Sequence, residues 1–437
     1  MPAVLQGLLL EADDAVLRHD YEEALRILER IDPLLRRARL DGSPLRAKWW
    51  LRRGNALETD PQRWEERVAA LTAAAQLFER VDPGDRDYGV ALGNIAAAHW
   101  EHSAEGGEAR ARDWFVRAVA AQQTARNRDD GELLTLYANL GHVHSHFRDW
   151  TSADAAFAEA VALAGRTYGE DNRRYWHVAA AWADAIHTRG DIAPGIARFE
   201  ELMARLPAEP ALEDQDTVAM AYTQFGAALV REGRPHLAVP LLEKAERGYQ
   251  RAHRGYRLAF LHRTLGDAYE GAGRLDDARR QFQLSLEALR SEQAEDSAAV
   301  LAGRERWARF LLASGESAAA ERELEDVLAL AEGRHASLTA LAQAGFARLA
   351  LARGDRTTAV RRSREALDSL EGAAPDETGH VAQSLWVTHA RALAAAGDVQ
   401  AAEPWARRAL DTRRRHSHPA SAELAELEAL VQTLEAR

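Results

Sequence analysis

Apolar residues recur along this chain at helical spacing, in pairs of segments that are separated by short turns. In the clearest pair, three residues follow Gly141 by 12, 16 and 19 positions: Ala153, Phe157 and Ala160. Steps of three and four residues place side chains on one face of a helix. Two further stretches, counted from Gly226 and from Gly266, repeat the same offsets. The pattern predicts amphipathic helices arranged in repeated antiparallel pairs.

A small residue marks one position in every predicted pair. Extending the register gives ten of these residues, which we call anchors, at a mean spacing of 42 residues: Ala12, Gly54, Gly93, Gly141, Ala183, Gly226, Gly266, Ala308, Ala347 and Ala390. Glycine or alanine there lets the two helices of a pair cross closely. A turn follows most anchors and often contains glycine, which suits a left-handed helix cap. One pair cannot bury its apolar face alone, so we expect stacked neighbours to share a continuous core.

The Leu140-Gly141 dipeptide and the later alanine and phenylalanine resemble the signature of the tetratricopeptide repeat (TPR). The spacing exceeds the usual period of about 34 residues and is similar to that of kinesin light chains and of the arrays attached to some bacterial Ser/Thr kinases. The resemblance implies an all-α fold, a right-handed α-solenoid of about ten TPR repeats over residues 1–417. A C-terminal capping helix is expected over 418–437, and a loop insertion near 103–108 accounts for the longest spacing.

Composition and charge remove several classes of function. The chain has no cysteine, which excludes disulfides and cysteine-based metal sites. Its net charge of −12 disfavours a nucleic-acid partner. We see no signal peptide and no stretch near the ~20 apolar residues of a membrane span, so we expect a bacterial cytoplasmic protein. The phosphate-loop, dinucleotide, zinc-protease and serine-hydrolase motifs are absent from the sequence, and we expect no enzyme activity and no cofactor.

In TPR proteins the first helix of each repeat lines the concave surface where ligands bind. By this resemblance, the residue after each anchor and its neighbours one turn away should face a groove. Asparagines there are expected to hold the backbone of a bound peptide. The polar candidates for partner binding are Asn55, Asn94, His142, His146, Asp184, His187, Asp267, Arg309, Arg348 and Arg391.

Histidines are concentrated in the middle of this set. His142 and His146 are four residues apart and share a helix face. The next repeat adds His177, Asp184 and His187, so a divalent metal site, with a metal-dependent hydrolase as its function, is one interpretation. The other interpretation, which we favour, is a row of polar groove residues that change protonation near neutral pH.

Three arginines occupy the same register position in successive repeats, namely Arg309, Arg348 and Arg391. Glu305 lies four residues before Arg309 and is expected to pair with it. The other two have no acidic residue at that place. A basic row in an acidic chain predicts a partner with an acidic segment or a C-terminal carboxylate. The alternative is a solvated face, or pairing with carboxylates on other helices.

The leading functional interpretation is a non-enzymatic scaffold or regulatory region that binds a protein or peptide, within a larger signalling protein. The alternative is a bacterial peptide-sensing TPR regulator, in which a bound peptide changes the packing of the repeats. Neither interpretation includes a nucleic acid or a membrane as partner.

Overall fold

The computed structural model describes residues 2–58, 60–102, 107–251, 257–370, 380–416 and 421–436. Within these residues the chain forms 21 α-helices and two short 3-10 turns, Pro61–Arg63 and Leu212–Asp214, and it contains no strand. The predicted all-α repeat fold is confirmed. In the same parts of the chain, every helix is too short or too polar to cross a membrane.

Twenty of the helices alternate between two positions, which we call A and B. The A helices are α1 (Pro2–Leu17), α3 (Pro44–Asn55), α5 (Arg86–His102), α7 (Asp130–His146), α9 (Arg173–Thr188), α11 (Gln215–Arg231), α13 (Leu258–Gly271), α15 (Ala298–Ala313), α17 (Ala336–Ala352) and α19 (His380–Ala396). The B helices are α2 (Tyr21–Arg37), α4 (Trp64–Val81), α6 (Gly107–Thr124), α8 (Trp150–Tyr168), α10 (Ile192–Arg205), α12 (Pro235–Arg251), α14 (Leu275–Glu292), α16 (Ser317–Ala331), α18 (Arg356–Asp368) and α20 (Val399–His416). The last helix is α21 (Ala422–Glu435). All ten anchors lie on A helices.

The anchors are small because a B-helix side chain packs directly on them. A Cβ atom added at Gly266 would lie 2.5 Å from the Phe282 ring, and one at Gly226 would lie 2.5 Å from Leu242. Both partners stand 16 residues after their anchor, which is the physical origin of the offset in the sequence. Gly93 differs, since the nearest side chain is Leu136 of the next A helix.

The turns between A and B helices use the expected left-handed residues. Gly273 and Gly354 both have a φ of 76°, and His19 and Arg148 adopt φ near 60° at the equivalent place. An aspartate often follows and caps the B helix, as Asp149 does by accepting a hydrogen bond from the Ser152 amide at 3.2 Å. These turns fix where each B helix begins.

The chain separates into two compact units, Met1–Ala185 (unit 1) and Ile186–Arg437 (unit 2). In unit 1, α3 packs against both α1 and α5, and in unit 2, α17 packs against both α15 and α19. Successive A helices thus form a layer of their own within each unit. We use the term A-helix face for the surface formed by the residue after each anchor and by the residues one helical turn from it.

Two sequence expectations fall partly on residues outside the described ranges. The loop insertion near 103–108 is one, since residues 103–106 are not described and α6 begins at Gly107. The final helix is the other, since residues 418–420 are not described. In α21, Leu424, Leu427, Val431 and Leu434 are buried in one cluster with residues of α19 and α20. The division into a solenoid over 1–417 and a cap over 418–437 stays a prediction.

Candidate functional site

The arginine row lies on the A-helix face of unit 2, at the predicted positions. The Arg348 side chain is 27% exposed. Burial among its neighbours lowers the pKa of Arg348 to about 10; Glu305 opposes this change, while the positive charges of Arg309 and Arg391 add to it. The Arg348 guanidinium is therefore close enough to both Arg309 and Arg391 to be repelled by their positive charges.

The hydrogen-bond donors of Arg348 have few acceptors in the protein. Its Nη2 atom lies 3.9 Å from Glu305 Oε1, which is longer than a hydrogen bond. Its Nε and Nη2 atoms are buried and have no hydrogen-bond partner among the described residues. Leaving such donors without acceptors is costly, so the site favours an added anion.

Two expected features of the row are wrong. Arg309 does not pair with Glu305, which instead faces Arg348 on the next A helix. Arg391 is not unpaired, because its Nη2 atom donates a hydrogen bond to Glu426 Oε2 of α21 at 3.1 Å. Both carboxylates come from other helices, so a search along each arginine's own helix cannot find them. Within the described ranges, Arg309 forms no ion pair or hydrogen bond.

Further arginines that the sequence analysis missed lie on the same face. Arg306 donates from Nε to Asp267 Oδ1 at 2.6 Å and also pairs with Glu270. Asp267, a candidate for partner binding, is therefore engaged within the protein. Burial lowers the pKa of Arg263, and Arg306 and Arg309 lower it further. Arg306 and Arg263 stand two and three residues before their anchors, one helical turn from the predicted position, so widening the search by a turn could have found them.

An exposed aromatic ring accompanies these charges. The Phe260 side chain is 47% exposed on α13. The Arg263 guanidinium lies 5.0 Å from the centre of its ring, within the range of a cation–π contact. The A-helix face of unit 2 thus presents an apolar surface beside its positive charges.

The A-helix face of unit 1 has a different chemistry. Asn94 donates from Nδ2 to Asn55 Oδ1 at 2.8 Å, so the two candidate asparagines form a ladder between neighbouring A helices. Arg52 pairs with Asp13 at 2.8 Å. Burial raises the pKa of Glu132, and the nearby carboxylates Asp129 and Asp87 raise it further. Unit 1 therefore presents amide and acidic groups, where unit 2 presents arginines.

The candidate histidines occupy three separate environments. His142 is exposed, and its ring meets Phe157 edge to face at 5.2 Å. Desolvation by the surrounding protein lowers the pKa of His142, and the negative charge of Asp184 opposes that shift. His146 is also exposed and packs edge to face on Trp100 at 5.2 Å.

His187 corrects a sequence expectation, because it is 4% exposed and not open to a partner. Its Nδ1 atom accepts from Arg231 Nη2 at 3.3 Å, and its Nε2 atom lies 3.5 Å from Glu232 Oε1. Across the described parts of the chain, no group of three or more His, Asp or Glu side chains could hold a metal ion. The structure therefore gives no support to the metal interpretation.

Parts of the chain match the models of one protein family. Family models described as tetratricopeptide repeat match residues 133–174, 217–291 and 390–419. A comparison with curated protein sequences gives no significant match.

Solved structures of low sequence identity share the fold. The apo form of RapI is 11% identical, with 64% of this chain and 98% of that chain covered, and its TM-score is 0.51. The apo form of the quorum sensor NprR from B. thuringiensis is 12% identical, with 94% and 99% covered, and its TM-score is 0.50. At these identities the likeness concerns the fold alone.

Proposed function

Because this chain is a tetratricopeptide-repeat protein, we propose that it binds a protein or peptide segment and catalyses no reaction. The partner lies on the A-helix face of unit 2 and presents an acidic segment or a C-terminal carboxylate there. The observation that carries this proposal is Arg348, whose buried guanidinium atoms have no acceptor among the described residues. Its neighbour Arg309 also has no hydrogen-bond acceptor within those residues. Two adjacent positive charges are therefore available to bind a negative group.

The chemistry of the face favours a carboxylate on a flexible chain. A guanidinium presents a planar fork of donors that a carboxylate matches with two parallel hydrogen bonds. Phe260 beside Arg263 offers an apolar contact to a neighbouring side chain of the same partner. The net charge of −12 opposes long-range attraction of nucleic acids and of anionic membranes, so neither is proposed as a partner.

A binding titration tests the proposal. The probe is a fluorescein-labelled peptide of six glutamates with a free C-terminal carboxylate, and its anisotropy reports binding. We expect Arg309→Gln with Arg348→Gln to weaken binding by about tenfold or more, since hydrogen bonds to charged groups are worth ~1.5–3 kcal/mol. Rising salt should weaken binding to the parent protein, because exposed charges are screened.

The matched control removes the same charge elsewhere on unit 2. Arg334 and Arg353 are exposed and pair with Asp296 and Glu321. Arg334→Gln with Arg353→Gln should change the affinity by less than about twofold, the effect expected of exposed pairs. Equal losses in the two double variants would mean diffuse attraction without a defined site, and a parent protein that does not bind the probe would refute the proposal.

A second candidate function is a regulator that responds to a peptide by changing its helix packing. The support is the likeness in fold to a quorum sensor over 94% of this chain. The two functions differ in their response to a ligand. A radius of gyration that changes when the peptide binds, measured by small-angle scattering, supports the regulator; an unchanged value supports the scaffold. We place either function in a bacterial cytoplasm, as part of a larger signalling protein.

A further inference from the structure

One turn of unit 2 touches a distant part of the chain. Gly233, Gly273 and Gly354 follow α11, α13 and α17, and each has a φ of 76°. A Cβ atom added at Gly273 or Gly354 would have nothing within 4 Å, whereas one at Gly233 would lie 2.3 Å from Ser421 Oγ. Ser421, which immediately precedes α21, therefore packs on the turn between α11 and α12.

This contact is closed to solvent and joins elements that are far apart in sequence. Ser421 is 1% exposed, and the adjacent turn residue Glu232 is fully buried. The sixth helix pair is thereby linked to the helix that follows the tenth pair, and both belong to unit 2. Residue 233 must therefore be glycine for two reasons: its φ is positive, and a side chain there would collide with Ser421.

Ion pairs hold the rest of α21 in place. Arg414 Nη2 lies 3.0 Å from Glu428 Oε1, Arg407 Nη2 lies 2.9 Å from Glu435 Oε1, and Arg413 pairs with Glu423. These three arginines belong to α20. The helix is therefore held by its buried apolar side chains, by ion pairs with α20 and by the contact of Ser421, the residue just before it.

The fourth ion pair of α21 reaches the arginine row. Glu426 Oε2 lies 3.1 Å from Nη2 of Arg391, which stands at the same register position as Arg309 and Arg348. The carboxylate of Glu426 thus sits where the acidic group of a partner would meet the last arginine of the row.

We propose that α21 is an internal competitor for the arginine row. Glu426 neutralises Arg391 in the absence of a partner, and the Ser421–Gly233 contact holds α21 in the position that allows this. The inference rests on the proposed function, because it assigns the regulation of the same site. An acidic partner that extends along the whole row displaces Glu426, so removing this carboxylate strengthens binding.

Two single variants of α21 test the competition. Glu426→Gln should tighten binding of the hexaglutamate probe by about two- to fivefold, the range that corresponds to an exposed ion pair. Glu435→Gln is the control, because Glu435 is also exposed and pairs at 2.9 Å, but with Arg407 of α20. Its affinity for the probe should equal that of the parent protein.

The outcomes separate the inference from the proposed function. If Arg309→Gln with Arg348→Gln abolishes binding while Glu426→Gln leaves the affinity unchanged, the proposed competition by α21 is overturned and the proposed function stands. If neither the parent protein nor Glu426→Gln binds the probe, both are overturned. If Glu426→Gln and Glu435→Gln tighten binding of the probe equally, the cause is a general charge effect. That result would also overturn the proposed competition by α21.

Hydrogen exchange tests the holding contact without any ligand. Gly233→Ala should force Ser421 aside and raise exchange in the first turns of α21 by about tenfold. Gly273→Ala introduces the same methyl group at the same φ with no neighbour, so exchange in α21 should stay at the parent level. Equal exchange of α21 in both variants would show that the contact does not hold the helix.

Discussion

Two arginines on neighbouring A helices of unit 2, Arg306 and Arg348, differ in how well carboxylates neutralise them. Burial lowers the pKa of Arg306, but Asp267 and Glu270 outweigh burial and raise it above its usual value. Arg348 has only the distant Glu305, and its pKa falls to about 10. Arg306 is thus part of the internal structure. An underpaired cation such as Arg348 is a candidate for binding, because strongly perturbed charges are concentrated at functional sites.

His389 provides a test of burial at a single residue. It is fully buried on α19, and its Nδ1 atom lies 2.8 Å from Ser363 Oγ. Its pKa is lowered to about 4: burial is the largest cause, Arg364 adds to the shift and Asp368 opposes it. The unfolded chain takes up the proton near pH 6.5, so the free energy of unfolding should fall as the pH drops from about 6.5 towards 4. The slope from this residue is at most about 1.4 kcal/mol per pH unit.

Urea unfolding at pH 7 and pH 5 checks this expectation in the parent protein and in His389→Gln. The parent protein should lose more stability between the two pH values than the variant does. Equal losses would show that His389 is not held neutral by the fold.

At the scale of single elements, the aspartates at the A–B turns do not act alike. Asp355 accepts a hydrogen bond from the Thr358 amide at 3.0 Å and caps α18. Asp191 precedes α10 at the equivalent turn, but its side chain makes no capping hydrogen bond and instead lies 2.7 Å from Arg189 Nε. The same residue type therefore begins one helix by capping it and begins another without doing so.

Alanine substitution distinguishes these two aspartates. Asp355→Ala should reduce the free energy of unfolding by ~1 kcal/mol, the usual value of an N-cap. Asp191→Ala should cost less than ~0.5 kcal/mol, since an ion pair to an exposed carboxylate contributes little. The measurement is chemical denaturation of both variants, and equal losses would contradict the assigned caps.

At the scale of the whole molecule, stability comes from interfaces between neighbouring helices. In unit 2, for example, α12 packs both on its own A helix, α11, and on the next one, α13. In such an array the stability is roughly a sum of repeat terms and nearest-neighbour terms. Damage at one anchor should therefore stay near its origin.

Gly266→Leu tests this locality. The new side chain would overlap the Phe282 ring, which is 2.5 Å from where even a Cβ atom would lie. Overpacking of this kind costs ~1–3 kcal/mol. Hydrogen exchange should rise in α13, α14 and their immediate neighbours and stay at the parent level in unit 1, whereas an even rise along the chain would contradict the local account.

The fold is more predictable from the sequence than the site is, for physical reasons. The anchors follow from helix crossing, which is local and recurs in each pair, so Gly266 and Phe282 show their contact through their spacing alone. The partners of the arginine row are set by packing between helices. Glu426 reaches Arg391 from a helix that the register does not relate to it, and His187 is buried by Glu232 and Arg231 of a later repeat.

The central claim is that Arg309 and Arg348 hold the acidic group of a bound protein or peptide. A crystal structure of the protein with the hexaglutamate probe tests it most directly. The account predicts a probe carboxylate on the A-helix face of unit 2, with oxygen atoms at about 2.7–2.9 Å from guanidinium nitrogens of Arg348 and Arg309, as in charge-assisted hydrogen bonds. A probe bound on another surface, with Arg348 still facing Glu305 alone, would contradict it.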